Sequence, residues 1–167
     1  LPGTDSPGIA DAPGPADLEV PVSLTETLQS IVAEAGLREL PERTVPRQLR
    51  LFFRDHFRYS LFLGDRLTGA RTLNEFLTRD RSGHCEYFAA ATVLLLRSVG
   101  IPARYATGYS LEEWSEIDQR FVVRARHGHA WALAWVNGRW IELDTTPPDW
   151  VAAEARAREF EAARKRV

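Results

Sequence analysis

The sequence predicts a single α+β domain in which helices come first and an antiparallel sheet follows. Apolar residues recur at helical spacing up to Gly100, whereas the part beyond it alternates apolar and polar residues between tight turns. A run of helices followed by a run of strands is typical of the α+β class. With 167 residues, the chain is long enough to bury one proper hydrophobic core.

Three regions are predicted along the chain. Residues 1–20 are rich in Pro, Gly, Asp and Ala and have no periodicity, which indicates a flexible or extended lead-in. The folded domain is expected over 21–150. Residues 151–167, rich in Ala, Arg and Glu, indicate a surface helix or a connector. Because the chain starts at Leu1 and contains no methionine, we expect it to be a fragment of a longer protein.

The composition excludes several classes of function. The formal net charge is -2, which argues against binding to nucleic acid or to an anionic membrane surface. No apolar run reaches the length of a transmembrane helix. A single cysteine excludes an internal disulfide and every metal motif that needs several cysteines.

The helices before the nucleophile region have clear start and stop signals. Ser23 is predicted to cap the first helix, with Glu26 at the capping-box position, and Gly36 is positioned to end it. The second helix is predicted over 44–57, with Pro46 in its first turn. A β-leaning stretch at 58–63 and a short helix at 73–77 follow.

The most strongly patterned helix is predicted from Cys85 to about Val99, with Gly100 in the position of a left-handed cap. Two strands, at 103–110 and 120–126, are then expected on either side of an acidic loop.

Cys85 lies where a reactive thiol would be expected. It opens a helix, where the positive end of the helix dipole and free backbone N–H groups favour the thiolate. The same N–H groups can serve an oxyanion hole. A lone cysteine is more often a small buried hydrophobe, and position alone makes the two interpretations about equal.

The register of a predicted hairpin adds two residues to Cys85. If Asn137 and Gly138 form a two-residue turn, Trp131 lies opposite Asp144. Side chains alternate along a strand, so His129 and Trp131 share a face with Asp144. The Cβ atoms of His129 and Asp144 are then at most ~7–8 Å apart, close enough for a hydrogen bond between the side chains. The opposite face offers small apolar residues that could pack under the Cys85 helix, namely Ala130, Ala132, Ala134, Ile141 and Leu143.

A thiol, an imidazole and a carboxylate in this order suit nucleophilic catalysis. The imidazole takes the thiol proton, the carboxylate fixes the imidazole tautomer, and the imidazolium later protonates the leaving amine. Singly, His129 could be a structural histidine and Asp144 a strand-end cap, but their combination with Cys85 favours catalysis.

Six sequence blocks carry a resemblance to a known family. They are Gly83-His84-Cys85-Glu86-Tyr87-Phe88-Ala89, Leu94-Leu95-Leu96-Arg97, Gly100-Ile101-Pro102-Ala103-Arg104, Thr107-Gly108-Tyr109, Gly128-His129-Ala130-Trp131 and Trp140-Ile141-Glu142-Leu143-Asp144-Thr145-Thr146-Pro147. Together, over roughly residues 59–150, they resemble the core of bacterial transglutaminase-like proteins.

The resemblance implies a papain-like core, with a nucleophile helix packed on an antiparallel sheet and extra helices before it. It implies Cys85, His129 and Asp144 as the catalytic triad of a domain over 21–150. The implied reaction is thiol-dependent acyl transfer on protein or peptide amides through a thioester, without a cofactor. The Gly-His-Cys-Glu-Tyr-Phe block is similar to a subgroup found as extracytoplasmic domains of multi-pass bacterial membrane proteins. A membrane-anchored parent chain and a periplasmic or extracellular location are therefore expected.

Four further residues are weaker candidates for binding substrate or supplying an oxyanion donor: Tyr59, His84, Glu86 and Trp131. For Tyr59 the favoured interpretation is a core aromatic residue. Glu86 could instead serve only the first helical turn.

Two other kinds of function stay open. Cys85, His127, His129 and Asp144 are acceptable zinc ligands by residue type, although the resemblance accounts for three of them without a metal. The domain could also be a catalytically silent module that binds a peptide or glycan on the same fold. Within the enzyme class, the sequence does not choose between water and an amine as the acyl acceptor, and it contains no recognisable calcium loop.

Overall fold

The computed structural model describes residues 11–61, 72–111, 113–124 and 127–164. Its helices and strands are α1 (Thr25–Glu34), α2 (Val45–His56), β1 (Arg58–Tyr59), α3 (Leu73–Glu75), β2 (Ser82–Gly83), α4 (Cys85–Ser98), β3 (Ala103–Tyr109), β4 (Glu113–Ser115), β5 (Arg120–Val122), β6 (Gly128–Val136), β7 (Arg139–Leu143) and α5 (Trp150–Arg164). Short 3₁₀ turns cover Pro15–Leu18, Val22–Leu24 and Glu42–Thr44, and a π-helical turn covers Phe76–Asp80. The predicted α+β class is confirmed.

The N-terminal helices form close to where their signals lie. α1 begins at Thr25, and the predicted capping box is wrong: Leu24 occupies the N-cap without a side-chain hydrogen bond, because Ser23 lies inside the preceding 3₁₀ turn. Gly36 follows the helix with a φ of +65°. α2 has Pro46 in its first turn, as predicted. The strand predicted at 58–63 is shorter, because only Arg58–Tyr59 pairs with Ser82–Gly83; residues 62 and 63 lie outside the described residues.

α4 matches the predicted nucleophile helix at both ends. Cys85 is its first residue, and the chain leaves the helix at Gly100, whose φ is +81°. The Ile101 N–H donates to the Leu96 carbonyl and the Gly100 N–H to the Arg97 carbonyl, both at 3.0 Å. This bonding satisfies carbonyls that the helix end would otherwise leave unpaired.

The main sheet has three antiparallel strands in the order β3-β6-β7. Asn137 and Gly138 form the two-residue turn between β6 and β7, with φ values of +52° and +76°. Trp135 pairs with Trp140, and the register derived from the sequence is confirmed as far as the pair Ala132–Leu143. β7 ends at Leu143, one residue earlier than predicted.

The acidic loop expected between the two middle strands contains a strand of its own. β4 and β5 pair as a separate two-stranded sheet, whose rings Trp114 and Phe121 meet edge to face at 5.0 Å. β3 pairs with β6, the strand whose alanine-lined face is buried.

The core lies between α4 and the sheet. The alanine face predicted for β6 is buried, with Ala132 and Ala134 fully inaccessible, and small side chains let the helix approach closely. Beneath α2 and α4, four phenylalanines pack together with ring centroids 4.9–6.5 Å apart: Phe53, Phe57, Phe76 and Phe88.

The described part of the lead-in lies against the sheet. The Trp140 indole donates a 2.8 Å hydrogen bond to the Asp11 carbonyl, and Asp17 forms an ion pair with Arg104 at 2.9 Å. The Arg104 guanidinium lies 4.3 Å from the centroid of the Trp140 ring. Across the described ranges, every helix is too short or too polar to cross a bilayer.

Candidate active site

Three elements bring the predicted triad together at one edge of the sheet. Cys85 begins α4, His129 is the second residue of β6, and Asp144 directly follows β7. The hairpin turn determines where His129 and Asp144 meet, and the packing of α4 on β6 determines where the thiol lies.

The imidazole and the carboxylate are hydrogen-bonded. Nε2 of His129 lies 2.8 Å from Oδ2 of Asp144. The other carboxylate oxygen, Oδ1, accepts a 2.9 Å hydrogen bond from the Thr146 N–H. This turn-like bond two residues ahead fixes the carboxylate and therefore the ring that it orients.

Two contacts hold the segment that carries Asp144. The hydroxyls of Thr92 on α4 and Thr145 are buried and lie 2.6 Å apart. Arg50 donates from Nε to the Asp144 carbonyl at 3.3 Å. The segment that carries Asp144 is thus hydrogen-bonded both to α4 and to α2.

The thiol lies within interaction range of His129, although the contact lacks the geometry of a fully formed hydrogen bond. Since Nε2 is occupied by Asp144, Nδ1 is the ring nitrogen available to Cys85. It is buried and has no hydrogen-bond partner within the described ranges. A loose contact of this kind is usual before substrate binds.

The surroundings of Cys85 favour its thiolate. Burial raises the pKa of the thiol, but the favourable interactions of the thiolate with the side chains of His129 and His84 and with the Ala130 N–H outweigh burial. The net effect lowers the pKa of Cys85 to about 7. Much of the thiol is therefore ionised near neutral pH.

The pKa of His129 is shifted in the opposite direction, upward. Burial lowers the pKa of His129, whereas the hydrogen bond to Asp144 and the contact with Cys85 raise it, to a net value of about 9. Burial raises the pKa of Asp144, but hydrogen bonds from His129 and Thr146 lower it overall. Between about pH 7 and 9, the site therefore favours a thiolate–imidazolium pair beside an ionised carboxylate.

A cleft of about 440 Å³ opens onto the sulfur. Its lining comes from the start of α4, from the end of β3 and from the start of β6: Cys85, Glu86, Thr107, Gly108, Tyr109, Gly128, His129 and Ala130. This volume suits a side chain or a short peptide segment. A reacting carbonyl in the cleft would lie near the thiol and the first amides of α4.

The structure places the weaker candidates differently. Glu86 lines the cleft and its side chain is 67% exposed, so it is available to substrate. His84 is the N-cap of α4 and interacts with the Cys85 thiolate, a role that the sequence did not suggest. Its Nδ1 lies 3.7 Å from Oε2 of Glu86.

Tyr59 and Trp131 lie deeper. Tyr59 is buried and its hydroxyl donates to Glu154, so burial and this bond both raise the pKa of the phenol. Trp131 shares the face of His129, but it is absent from the cleft lining, and its indole N–H is buried without a partner among the described residues. Their role in substrate binding stays a prediction.

Two site residues escaped the sequence analysis because α5 had no predicted role. Trp150 stacks on the His129 ring, with centroids 4.4 Å apart and an interplanar angle of 14°. Glu154 accepts the hydroxyl of Tyr59. The only available signal was an aromatic residue two positions after the Thr-Thr-Pro-Pro turn.

The zinc alternative receives no support from the geometry. Across the described ranges, no three His, Cys, Asp or Glu side chains come together as a metal site would require. The His127 side chain is buried, and its Nδ1 accepts a 3.2 Å hydrogen bond from the Arg124 N–H.

The chain resembles known bacterial proteins in sequence. It is 34% identical over 107 residues to a protein-glutamine gamma-glutamyltransferase of Pseudomonas aeruginosa, over 64% of this chain and 16% of that protein's length. It is 32% identical over 79 residues to the uncharacterised protein YebA of Bacillus subtilis, over 44% of this chain and 11% of that protein. The chain thus spans a small part of both relatives.

A solved structure shares the fold. The periplasmic domain of TgpA from Pseudomonas aeruginosa superposes with a TM-score of 0.68 at 28% identity, over 83% of this chain and 47% of that one. The family model of the transglutaminase-like superfamily matches residues 30–145, which include all three triad positions. The chain belongs to the transglutaminase-like superfamily.

Proposed function

We propose that this domain catalyses thiol-dependent acyl transfer on protein or peptide amides, with Cys85 as nucleophile, His129 as base and Asp144 as the residue that orients His129. The observation that carries the proposal is the hydrogen-bonded His129–Asp144 pair beside a buried thiol whose pKa is lowered to about 7. Membership of the transglutaminase-like superfamily supports the same general chemistry.

The positions of these groups support the following reaction. The Cys85 thiolate attacks the carbonyl carbon of an amide held in the cleft, and the developing oxyanion is stabilised by backbone N–H groups at the start of α4. The His129 imidazolium gives its proton to the leaving nitrogen, which departs as an amine or ammonia. The neutral imidazole then takes a proton from water or from an incoming amine, which attacks the thioester and releases Cys85.

The acyl donor is proposed from the relative. The name of the Pseudomonas aeruginosa protein specifies a glutamine side chain and a γ-glutamyl group, so a glutamine carboxamide is the first donor to test. Water as acceptor gives deamidation or proteolysis, and an amine gives a cross-link.

We further propose that the domain is extracytoplasmic and belongs to a membrane-anchored parent chain. This proposal is supported by the likeness to the periplasmic domain of TgpA. Fusing the domain's parent gene to a reporter that is active only outside the cytoplasm tests the location directly.

The first test of the mechanism is the alkylation rate of Cys85 by iodoacetamide as a function of pH, measured by intact mass. Because only the thiolate reacts, the rate should rise through about pH 7 and then level off, below the value of about 8.5 for a free thiol. Removing the imidazole with His129→Gln should move the midpoint upward. The matched control is His56→Gln, which changes an exposed histidine at the end of α2.

The second test measures the reaction itself. A glutamine-rich protein and a fluorescent primary amine are incubated with the domain, and both ammonia release and amine incorporation are followed. Wild type should release ammonia, and Cys85→Ala should release none while keeping its fold. Turnover should fall again as His129 loses its proton through about pH 9. A fully ionised thiol without ammonia release from any amide donor would favour the silent binding module.

A further inference from the structure

Trp150 lies next to the catalytic histidine but beyond the part of the chain that the family model matches. That match ends at residue 145, and Trp150 is the first residue of α5. Its ring is nearly parallel to the His129 imidazole, at 14° and with centroids 4.4 Å apart. Trp131, two residues along β6, is parallel to the same imidazole within 20° at 6.3 Å.

Contacts from other elements hold the Trp150 ring in this position. Trp150 also packs against Tyr59, with ring centroids 6.2 Å apart, and the Tyr59 hydroxyl donates to Glu154 one turn further along α5. The Trp150 N–H donates to the Pro147 carbonyl at 3.1 Å. The first turn of α5 is therefore fastened both to the Asp144 segment and to β1.

The position of Trp131 depends on a glycine in the neighbouring strand. Gly108 pairs with His129 in the β3–β6 ladder. A Cβ atom on Gly108 would lie 2.7 Å from the Trp131 ring, a distance at which one of the two must move. The absence of a side chain at residue 108 thus lets Trp131 lie across β3 beside the histidine.

This environment poses an electrostatic problem. His129 is 9% exposed, and burial disfavours the imidazolium that the mechanism requires. The charged groups that act on the ring are Asp144 at the end of β7 and Cys85 on α4. On the α5 side, the titratable group is Glu154, whose carboxylate is bonded to Tyr59.

The face of an indole attracts a cation through its negative quadrupole, and Trp is the strongest of the aromatic side chains in this respect. A parallel stack at 4.4 Å lies well within the distance at which this attraction operates. The indole excludes water from the His129 ring and at the same time favours the imidazolium form. An aliphatic side chain in its place would exclude water but would not favour the imidazolium.

We propose that Trp150, assisted by Trp131, is a positioning residue that stabilises the His129 imidazolium and fixes the plane of its ring. Helix α5 then contributes to the active site although it lies beyond residues 30–145, which the family model matches. The inference rests on the proposed function only in taking His129 as the base, and its test needs no substrate.

The experiment is a pH titration of the histidine side chains by ¹H–¹⁵N NMR in the Cys85→Ala background. Removing the thiol means that the ionisation of Cys85 no longer affects the titration of His129. His129→Gln assigns the signal among the chain's four histidines. Three variants are compared. Trp150→Leu keeps an apolar cover without a π face, and Trp150→Phe keeps a weaker face. Trp135→Leu alters a tryptophan of β6 that meets Trp140 edge to face instead.

Trp150→Leu should lower the pKa of His129 by about 0.5 to 1 pH unit, Trp150→Phe by less, and Trp135→Leu should leave it unchanged. A cover without electrostatic effect predicts the same pKa in wild type and Trp150→Leu, and that result would overturn the proposal. Circular dichroism shows that each variant is folded. If Trp150→Leu unfolds the domain, Trp150→Phe decides, since an unchanged pKa there also contradicts the proposal. Failure of the acyl-transfer assays with an intact pKa shift would overturn the function and leave the stacking role in place.

Discussion

Two β-hairpins in the described part of the chain share a local form and differ in what covers them. The buried hairpin, β6–β7, belongs to a three-stranded sheet and buries its alanine face under α4. The outer hairpin, β4–β5, has three residues in each strand and forms a sheet by itself. Its two facing rings, Trp114 and Phe121, are 44% and 48% exposed.

This difference explains why the predicted His129–Asp144 pair lies at the buried hairpin and not at the outer one. A strand whose face is buried cannot slip by one residue without turning its apolar side chains to solvent, so its register is strongly determined. The outer hairpin is held by one aromatic pair and by the exposed ion pair of Arg124 with Glu113. Exposed ion pairs contribute little to stability. Groups that must meet within a few tenths of an ångström therefore belong on the buried hairpin.

The largest expected contrast is in catalysis. Asp144→Asn should lower kcat by about 10³- to 10⁴-fold, because the amide can stabilise neither the imidazolium nor its correct tautomer. In the outer hairpin, Glu113→Gln breaks an exposed ion pair and should change kcat less than about twofold. Ammonia release measures both. Comparable losses in the two variants would mean that the outer hairpin acts in catalysis.

The next contrast is in packing. Ala132 is fully buried between β6 and α4, so Ala132→Leu should lower the free energy of unfolding by about 1–3 kcal/mol through overpacking. Trp114→Leu, on the exposed face of the outer hairpin, should stay within about 0.5 kcal/mol of wild type. Urea unfolding followed by circular dichroism gives both values. A tolerant Ala132 site would contradict the close approach of helix and sheet.

The smallest contrast is in the turns. Gly138 has a φ of +76° and open space around it, so Gly138→Ala should cost about 1 kcal/mol from backbone strain alone. In the outer turn, Gln119 has a φ of +51° but donates from its side chain to the Glu116 carbonyl at 2.8 Å. Gln119→Gly relieves the strain and loses this bond, so its effect on stability should be under about 0.5 kcal/mol. Thermal unfolding of the two variants separates these outcomes.

Much of this site could be predicted because its determinants are local. Gly100 and Asn137-Gly138 occupy the left-handed positions that their residue types favour, so the end of α4 and the hairpin register followed from short-range rules. The shortened β1 and the role of α5 could not be found in this way, because each depends on pairing or packing with residues far away in the chain. β4 was missed for another reason, since it pairs with its close neighbour β5 inside a stretch whose acidic composition favoured a loop.

The sequence by itself determined the α+β class, the start of the nucleophile helix and the shared face of His129 and Asp144. These follow from helical spacing, from capping residues and from the two-residue period of a strand. Only the tertiary structure decided that Tyr59 is bonded to Glu154 and that Trp150 stacks on His129. No local periodicity encodes such contacts, because they arise where separate elements are packed against one another by burial of the core.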